Sequence, residues 1–120
     1  MKFSNPYWSD KLRISALQRW VIVHSILYYE LDNSIVADKR FDDVAKQLVQ
    51  MQNESPDEAV ESDYWYVFYD FDGSTGFDLY HRLNKKDRQY LRHIAQNVLM
   101  LYKAEGKAKG NGKNSKSGNR

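Results

Sequence analysis

The stretch YYELDNSIVADKRFDD, residues 28–43, decides the fold because it joins two segments of helical periodicity. Upstream, apolar residues recur at helical spacing over residues 17–31, with Ser15 as a candidate N-cap. Residues 33–34, Asn-Ser, interrupt that pattern, and Asp38 can cap a second helix. The apolar face of this second helix consists of Phe41, Val44, Ala45, Leu48 and Met51. The stretch therefore predicts a turn between two packed helices.

A third helix is predicted directly after the second. In SPDE, residues 55–58, Ser55 can act as the N-cap and Pro56 suits the first helical position. Glu58 completes the pattern of a capping box.

The later part of the chain predicts an aromatic segment followed by two more helices. YWYVFYDF, residues 64–71, has strand-like composition, but a lone strand lacks a partner, so we expect an extended segment lying across the helices. A turn at 72–76 and a short helix at 77–83 follow. NKKD, residues 84–87, predicts the cap of a last helix. The expected buried face of that helix is Tyr90, Leu91, Ile94, Val98, Leu101 and Tyr102.

The composition favours a small, mainly α, single-domain bundle of about five helices. The chain has 120 residues, of which 42% are hydrophobic and 14% aromatic, enough for one core and too few for two. Cysteine is absent, which excludes disulfides and suits a reducing compartment. Neither a signal peptide nor a membrane span is visible, so we expect a cytoplasmic protein with no membrane contact.

The charge is unevenly distributed along the chain. Residues 103–120 hold six basic residues and one acidic residue, which leaves residues 1–102 with a net charge of −3. Lys, Gly, Ser and Asn bury too little surface to offset the entropy of ordering. We therefore expect a helical domain at 1–102 and a disordered basic tail at 103–120. Such a tail can contact nucleic-acid phosphates weakly, and a solvated terminus without a partner is the alternative.

No catalytic or metal-binding pattern stands out. DFDGSTGFD, residues 70–78, has oxygen ligands at alternate positions, but a calcium-binding EF-hand loop needs glycine where Thr75 stands and an acid where His81 stands. A tight turn is the better interpretation. His24 and His93, like His81, have no partner at metal-ligand spacing. We expect no catalytic residue and no bound metal.

One group of residues in the quoted stretch favours ligand binding. Asp38 and Asp42 are four residues apart and share a helix face, with Phe41 between them. If the two helices are antiparallel, the turn brings Tyr28 or Tyr29 close to that face. Aromatic rings can stack on a flat heterocycle, and a cationic nicotinamide ring gains about 1 kcal/mol from a tyrosine face. In the alternative, Asp38 is a cap, Asp42 is solvated and the aromatic rings are core.

These residues also carry a resemblance to the N-terminal helical domain of bacterial NAD-dependent DNA ligases. That family has the pattern Y-[YH]-x-x-D-x-x-x-[IV]-x-D-x-x-Y-D, followed by an amphipathic helix and a proline, here Pro56. The resemblance covers residues 17–56. The pattern is matched without a gap by Tyr28, Tyr29, Asp32, Val36, Asp38, Phe41 and Asp42.

The resemblance implies a role for five of these residues. In the ligases this domain binds the nicotinamide mononucleotide (NMN) half of NAD. Tyr28 and Tyr29 are thus expected to contact that half, and Asp38 and Asp42 to hydrogen-bond its polar groups. Phe41 would supply a stacking ring where the family usually has tyrosine, with the loss of one possible hydrogen bond.

The resemblance also implies what this chain lacks. The ligases carry a lysine nucleophile in a K-x-D-G motif, whereas the Asp72-Gly73 pair here has Asp70, preceded by Tyr69, in place of that lysine. Without that lysine no adenylated enzyme forms, so we expect a protein that is not an enzyme. Small ligase-related proteins of this kind are encountered in phage and prophage genomes, which implies a viral origin.

Three functions are compatible with these observations. The first, which we favour, is a non-enzymatic module that binds NMN or NAD. The second is a phage or prophage interaction factor, such as a counter-defence protein, that kept the scaffold without the ligand. It would bind a host or phage protein through Tyr64, Trp65, Tyr66 and Phe68. The third is nucleic-acid binding by the tail, against which the acidic body argues.

Overall fold

The computed structural model describes residues 7–108, and this part of the chain is mainly α-helical, as predicted. The first helix passes directly into a π-helical turn, and five further helices follow. Their bounds are α1 Asp10–Ser25, the π-helical turn Ile26–Glu30, α2 Asp38–Glu54, α3 Pro56–Val60, α4 Trp65–Phe68, α5 Leu79–Arg82 and α6 Lys85–Ala108. No helix of residues 7–108 is long and apolar enough to cross a membrane.

Helix α1 begins earlier than predicted and forms the centre of the fold. Ser9 is its N-cap, and the Ser9 Oγ accepts a hydrogen bond from the Leu12 N–H at 3.2 Å. The predicted cap, Ser15, is wrong, because Ser15 is buried and its Oγ accepts the Asp63 N–H at 3.0 Å. Helices α2, α3, α5 and α6 all pack against α1. The helix is therefore buried on several faces rather than along one stripe.

Helix α2 has the amphipathic pattern that the sequence predicts. Phe41 and Met51 are partly buried and pack against the core. The fully buried apolar positions are Val44, Ala45 and Leu48. The predicted Asp38 cap is wrong: Ala37 occupies the N-cap position, and no side chain caps this end of the helix. Asp38 lies in the first turn, where its negative charge is favourable to the helix dipole.

Helix α3 starts where predicted, but without the capping box. Pro56 is its first residue and Ser55 its N-cap. The Ser55 Oγ donates to the Asp10 Oδ2 at 2.8 Å, and the Glu58 Oε1 accepts the Lys11 N–H at 3.1 Å. Both side chains therefore tie α3 to the start of α1 instead of capping α3.

The aromatic segment 64–71 was predicted to be extended, but the structure shows a short helix there. Its residues Trp65–Phe68 form α4, and the Tyr64 carbonyl accepts hydrogen bonds from the N–H groups of Val67 at 2.9 Å and Phe68 at 3.2 Å. The described residues offer this segment no strand to pair with. A helical turn satisfies the backbone groups locally while Tyr64 and Phe68 enter the core.

This placement contradicts the predicted interaction surface. Tyr64 is 7% exposed and Phe68 is fully buried, so neither can anchor a partner protein in the folded domain. Trp65 is partly buried against the core. Tyr66 is more exposed, but its hydroxyl donates to the Asp87 Oδ2 at 2.6 Å. Burial and this hydrogen bond raise the pKa of Tyr66 to about 12, so the hydroxyl stays protonated.

A buried polar network joins α1, α2 and the α3–α4 region. The Gln18 Nε2 donates to the Gln52 Oε1 at 3.0 Å and to the Ser62 Oγ at 2.8 Å. The Gln18 Oε1 accepts the Tyr64 N–H at 3.0 Å, and the Gln52 Nε2 donates to the Phe68 carbonyl at 3.3 Å. Each buried amide is thus hydrogen-bonded at both ends, which fixes the relative position of three chain segments.

Helix α6 begins at the predicted cap, but its buried face is smaller than predicted. Asn84 caps it as predicted, since the Asn84 Oδ1 accepts the Asp87 N–H at 2.8 Å. Leu91 and Ala95 are its fully buried apolar residues. Three residues of the predicted buried face are exposed because they lie beyond or beside the core: Tyr90, Leu101 and Tyr102.

The helix also extends past the predicted domain boundary. It continues through residue 108, so the prediction of disorder is wrong for residues 103–108. Alanine, lysine and glutamate in this stretch are good helix formers, and the helix propagates from its buried part. The remainder of the predicted tail, 109–120, lies outside the described residues.

Candidate functional site

The corner between α1 and α2 is shaped by the π-helical turn at Ile26–Glu30. The Leu31 N–H donates to the Ile26 carbonyl at 2.9 Å, an i to i+5 hydrogen bond that closes the wide turn. Asp32 follows in the left-handed region with a φ of 55°, a conformation that aspartate tolerates better than most residues. The chain then passes to Asp38, where α2 begins. Such single π-helical turns are frequent at functional sites.

A cavity of about 250 Å³ lies beside this corner. Its wall contains all five side chains predicted as ligand contacts, namely Tyr28, Tyr29, Asp38, Phe41 and Asp42. The remaining lining residues are His24, Ser25, Ser34, Ile35, Val36, Ser74 and Thr75. The structure thus brings the predicted residues together from both helices, and their contact with a ligand stays a prediction.

The aromatic part of the wall is a set of perpendicular rings. The Tyr28 and Tyr29 ring centroids are 4.7 Å apart at an interplanar angle of 89°. The Tyr29 ring meets the Phe77 ring in the same manner at 5.4 Å. Tyr28 is 51% exposed and Tyr29 39%, so both rings keep free surface although they support each other. A flat heterocycle can stack on or against such rings.

The acidic part of the wall consists of the carboxylates of Asp38 and Asp42. Asp38 and Asp42 are exposed on α2, and neither makes a hydrogen bond or an ion pair with the residues that the structure describes. Their neighbour Asp43 differs, because its Oδ2 lies 3.0 Å from the Lys39 Nζ. Asp43 does not line the cavity. The two lining carboxylates therefore have their acceptor oxygens available for a ligand.

Two buried polar side chains lie at the α1 side of the cavity. The His24 Nδ1 is buried and has no hydrogen-bond partner among the described residues, and the ring packs on Trp20 at a centroid distance of 4.2 Å. Burial, with a smaller effect of the Arg40 charge, lowers the pKa of His24 to about 4, so the imidazole is neutral at pH 7. The Ser25 Oγ is likewise buried and unpartnered within residues 7–108.

The far wall comes from the loop at residues 72–76, which sequence reasoning did not connect with the site. Ser74 and Thr75 line the cavity. The Tyr29 hydroxyl and the Thr75 Oγ1 are hydrogen-bonded at 2.9 Å, and the same Oγ1 accepts the Phe77 N–H at 3.2 Å. Thr75 therefore fixes the Tyr29 ring in place. The only signal in the sequence was the turn composition, which does not reveal a contact 46 residues away.

The predicted turn has a side-chain cap and packs tightly on the corner. The Asp72 Oδ1 accepts hydrogen bonds from the Ser74 N–H at 2.9 Å and from the Ser74 Oγ at 2.6 Å. Gly73 adopts a φ of +84°. A Cβ at Gly76 would lie 2.0 Å from the Ser25 Oγ, so only glycine allows this approach to α1.

No group of His, Cys, Asp or Glu side chains within the described range could hold a metal ion. The arrangement is thus one of aromatic rings, carboxylates and hydroxyls, which suits reversible binding of a small polar heterocycle.

Comparison with known proteins agrees with this geometry. Residues 8–63 match the family model of the DNA ligase-like, N-terminal NAD+-binding domain. The match contains α1, the π-helical turn, α2 and α3, and so includes all five predicted site residues. The resemblance predicted for residues 17–56 is confirmed and is longer than expected. Residues 64–108 lie outside the match, although Ser74 and Thr75 line the cavity.

Among individual proteins, a DNA ligase of Endomicrobium trichonymphae is 41% identical to this chain over 44 residues. These residues are 37% of the chain and 6% of the ligase, so the chain spans only a small part of that relative. No solved structure matches the chain.

Proposed function

We propose that this chain is a non-enzymatic module that binds the NMN half of NAD in the cavity between α1 and α2. The observation that carries the proposal is that Tyr28, Tyr29, Asp38, Phe41 and Asp42, taken from two helices, all line one cavity. The matched family, an NAD+-binding domain, supports the same ligand.

The chemistry of the wall fits a nicotinamide nucleoside. The rings of Tyr28, Tyr29 and Phe41 supply stacking surface, which is worth about 0.5–1 kcal/mol more for a cationic ring than for a neutral one. The free oxygens of Asp38 and Asp42 accept hydrogen bonds from ribose hydroxyls or from the carboxamide. A volume of about 250 Å³ is slightly below the roughly 300–1,000 Å³ of pockets for drug-sized ligands. A cavity of this size suits one half of the dinucleotide.

The proposed role is binding without chemical conversion. The sequence contains no K-x-D-G motif, and its Asp72-Gly73 pair follows an aspartate where the motif has lysine. Asp72 instead accepts two hydrogen bonds from Ser74 within the turn. A module of this kind would sequester the cofactor or sense its concentration.

The test is thermal unfolding with NMN, NAD and ATP, comparing Asp38→Ala with Asp43→Ala. A ligand at 100 times its Kd adds about 2.7 kcal/mol to the free energy of unfolding. For a domain of this size that raises Tm by on the order of 10 °C. We expect this rise with NMN and NAD but not with ATP.

The two variants separate the site from the general charge of α2. Asp43 is an exposed aspartate on the same helix, is paired with Lys39 and does not line the cavity. Asp38→Ala should abolish the rise in Tm, and Asp43→Ala should keep it. No rise in the unmodified protein at millimolar NMN, or an equal loss in both variants, would refute the proposal.

A further inference from the structure

The charged side chains among the described residues of the cavity wall are acidic. Among its described lining residues, Asp38 and Asp42 are the acidic side chains, and none is lysine or arginine. The basic side chain among these described residues is His24, whose pKa is lowered to about 4 by burial and by Arg40, so it adds no charge at neutral pH. The wall therefore carries two negative charges that no positive charge in the wall balances.

The basic side chains near the corner are engaged elsewhere. The Arg40 guanidinium lies 5.8 Å from the centroid of the Trp20 ring, and the Lys39 Nζ pairs with Asp43. Neither Arg40 nor Lys39 lines the cavity. Lys39 and Arg40, on the helix that supplies the carboxylates, thus both contact side chains outside the cavity wall. Among the described lining residues, a phosphate group in the cavity would meet carboxylates and hydroxyls but no lysine or arginine.

We propose that the cavity selects the N-ribosylpyridinium cation of its ligand and does not recognise the phosphate. This inference rests on the proposed function and specifies the ligand class: positively charged nicotinamide ribosides, with NMN and NAD accepted as their phosphorylated forms. Two carboxylates attract the oxidised, cationic ring, and the tyrosine faces add a cation–π contribution. The reduced ring is neutral and loses both contributions.

The phosphate provides the opposing charge effect. A phosphate monoester carries about −1.5 to −2 charges at pH 7. Near Asp38 and Asp42, with no basic side chain in the described wall, this charge is repelled rather than bound. The site therefore recognises only the part of the ligand that carries no phosphate.

A buried hydroxyl gives the cavity a further polar group for this ligand. Ser25 is 2% exposed and lines the wall, and its Oγ lacks a hydrogen-bond partner within residues 7–108. A hydroxyl can donate to and accept from a carboxamide, which carries both kinds of group. The two aspartates thus favour an uncharged amide substituent on the ring over a carboxylate, which they would repel.

The experiment is calorimetric titration of the full chain with nicotinamide riboside, reduced nicotinamide riboside and NMN. We expect nicotinamide riboside to bind at least as tightly as NMN, and about tenfold more tightly than its reduced form. The affinity for nicotinamide riboside should fall as salt is raised, because the attraction is between charges.

Neutral variants of the aspartates give the control. Asp42→Asn keeps the shape of the side chain and should reduce the preference for the oxidised ring to about twofold, as should Asp38→Asn. Asp43→Asn, outside the cavity, should keep the preference. Both cavity aspartates are exposed, so the variants should fold, which thermal unfolding verifies.

The outcomes separate this inference from the proposed function. Binding of NMN tenfold or more tightly than nicotinamide riboside, or equal binding of the oxidised and reduced forms, would overturn charge selection while leaving the NMN site intact. Binding of none of the three ligands would remove the proposed function together with the inference.

Discussion

Replacing Gln18 with leucine should show how strongly the buried polar network holds the helices together. Leucine is close to glutamine in size, so the change removes hydrogen bonds without opening a large cavity. Gln18 is fully buried and contacts Gln52, Ser62 and the backbone of Tyr64. In the variant, three buried groups lose the hydrogen bonds that they make with the Gln18 side chain.

The expected cost follows from what each partner loses. The Tyr64 N–H and the Gln52 Oε1 lose the hydrogen bonds described above, whereas the Ser62 hydroxyl still donates to the Ala59 carbonyl. An unsatisfied buried donor or acceptor costs about 1–3 kcal/mol, and the leucine side chain recovers part of this by apolar burial. We expect a loss of about 3 kcal/mol in the free energy of unfolding, which lowers Tm by roughly 10–20 °C.

Urea unfolding followed by circular dichroism measures this loss, with Gln50→Leu as the matched control. Gln50 lies on the exposed side of α2, and among the described residues its side chain hydrogen-bonds to Glu54, four residues along the helix. Its replacement should change the free energy of unfolding by less than about 0.5 kcal/mol. Unchanged m-values would show that both variants unfold from comparable compact states.

A double variant tests whether the two buried amides depend on each other. In Gln18→Leu/Gln52→Leu the two amides disappear together, so the loss should be smaller than the sum of the single losses. A loss below 1 kcal/mol for Gln18→Leu would refute the claim that the network stabilises the fold. Additive losses in the double variant would show that the two amides do not act on each other.

Three further changes test other parts of the fold. The unfolded His24 pKa is near 6.5 and the folded pKa is about 4, so the unfolded chain binds a proton first and stability falls as pH falls from 6.5 to 4, by at most about 3 kcal/mol. His24→Phe should flatten this slope in urea titrations at stepped pH, and an unchanged slope would contradict the assignment. Gly76→Ala should cost about 1–3 kcal/mol by thermal unfolding, but less in a Ser25→Ala background, and equal costs would contradict the close approach. Leu48→Ala should cost about 2–5 kcal/mol, whereas Leu12→Ala, at a 45% exposed position, should cost far less, and similar losses in chemical unfolding would place Leu48 outside the core.

Local patterns in the sequence were sufficient for the helices that have one buried face. The spacing of apolar residues predicted α2, and the side chain of Asn84 predicted the start of α6. The five site residues lie within 15 positions of one another, so a turn between two helices was enough to bring them together. The resemblance to the N-terminal domain of DNA ligases, identified from the sequence, was confirmed by the family match.

Predictions failed where distant contacts decide the structure. Ser15 has the residue type of a cap, but it bonds to the backbone of Asp63, 48 positions along the chain. The segment 64–71 has strand-like composition, yet its backbone hydrogen-bonds within a helical turn that places Tyr64, Val67 and Phe68 in the core. The contact between Thr75 and Tyr29 likewise depends on the completed fold. No local sequence pattern reveals contacts between residues this far apart in the chain.

The π-helical turn at Ile26–Glu30 bears on how such a site arises and disappears in evolution. Each residue advances an α-helix by about 100° around its axis. Deleting one residue from the turn would let the regular helix continue and would rotate Tyr29 and everything after it by that angle, away from Thr75. Substitutions leave this register unchanged. A change of length at the corner, rather than a change of residue, is therefore the genetic event that would remove the cavity in a single step.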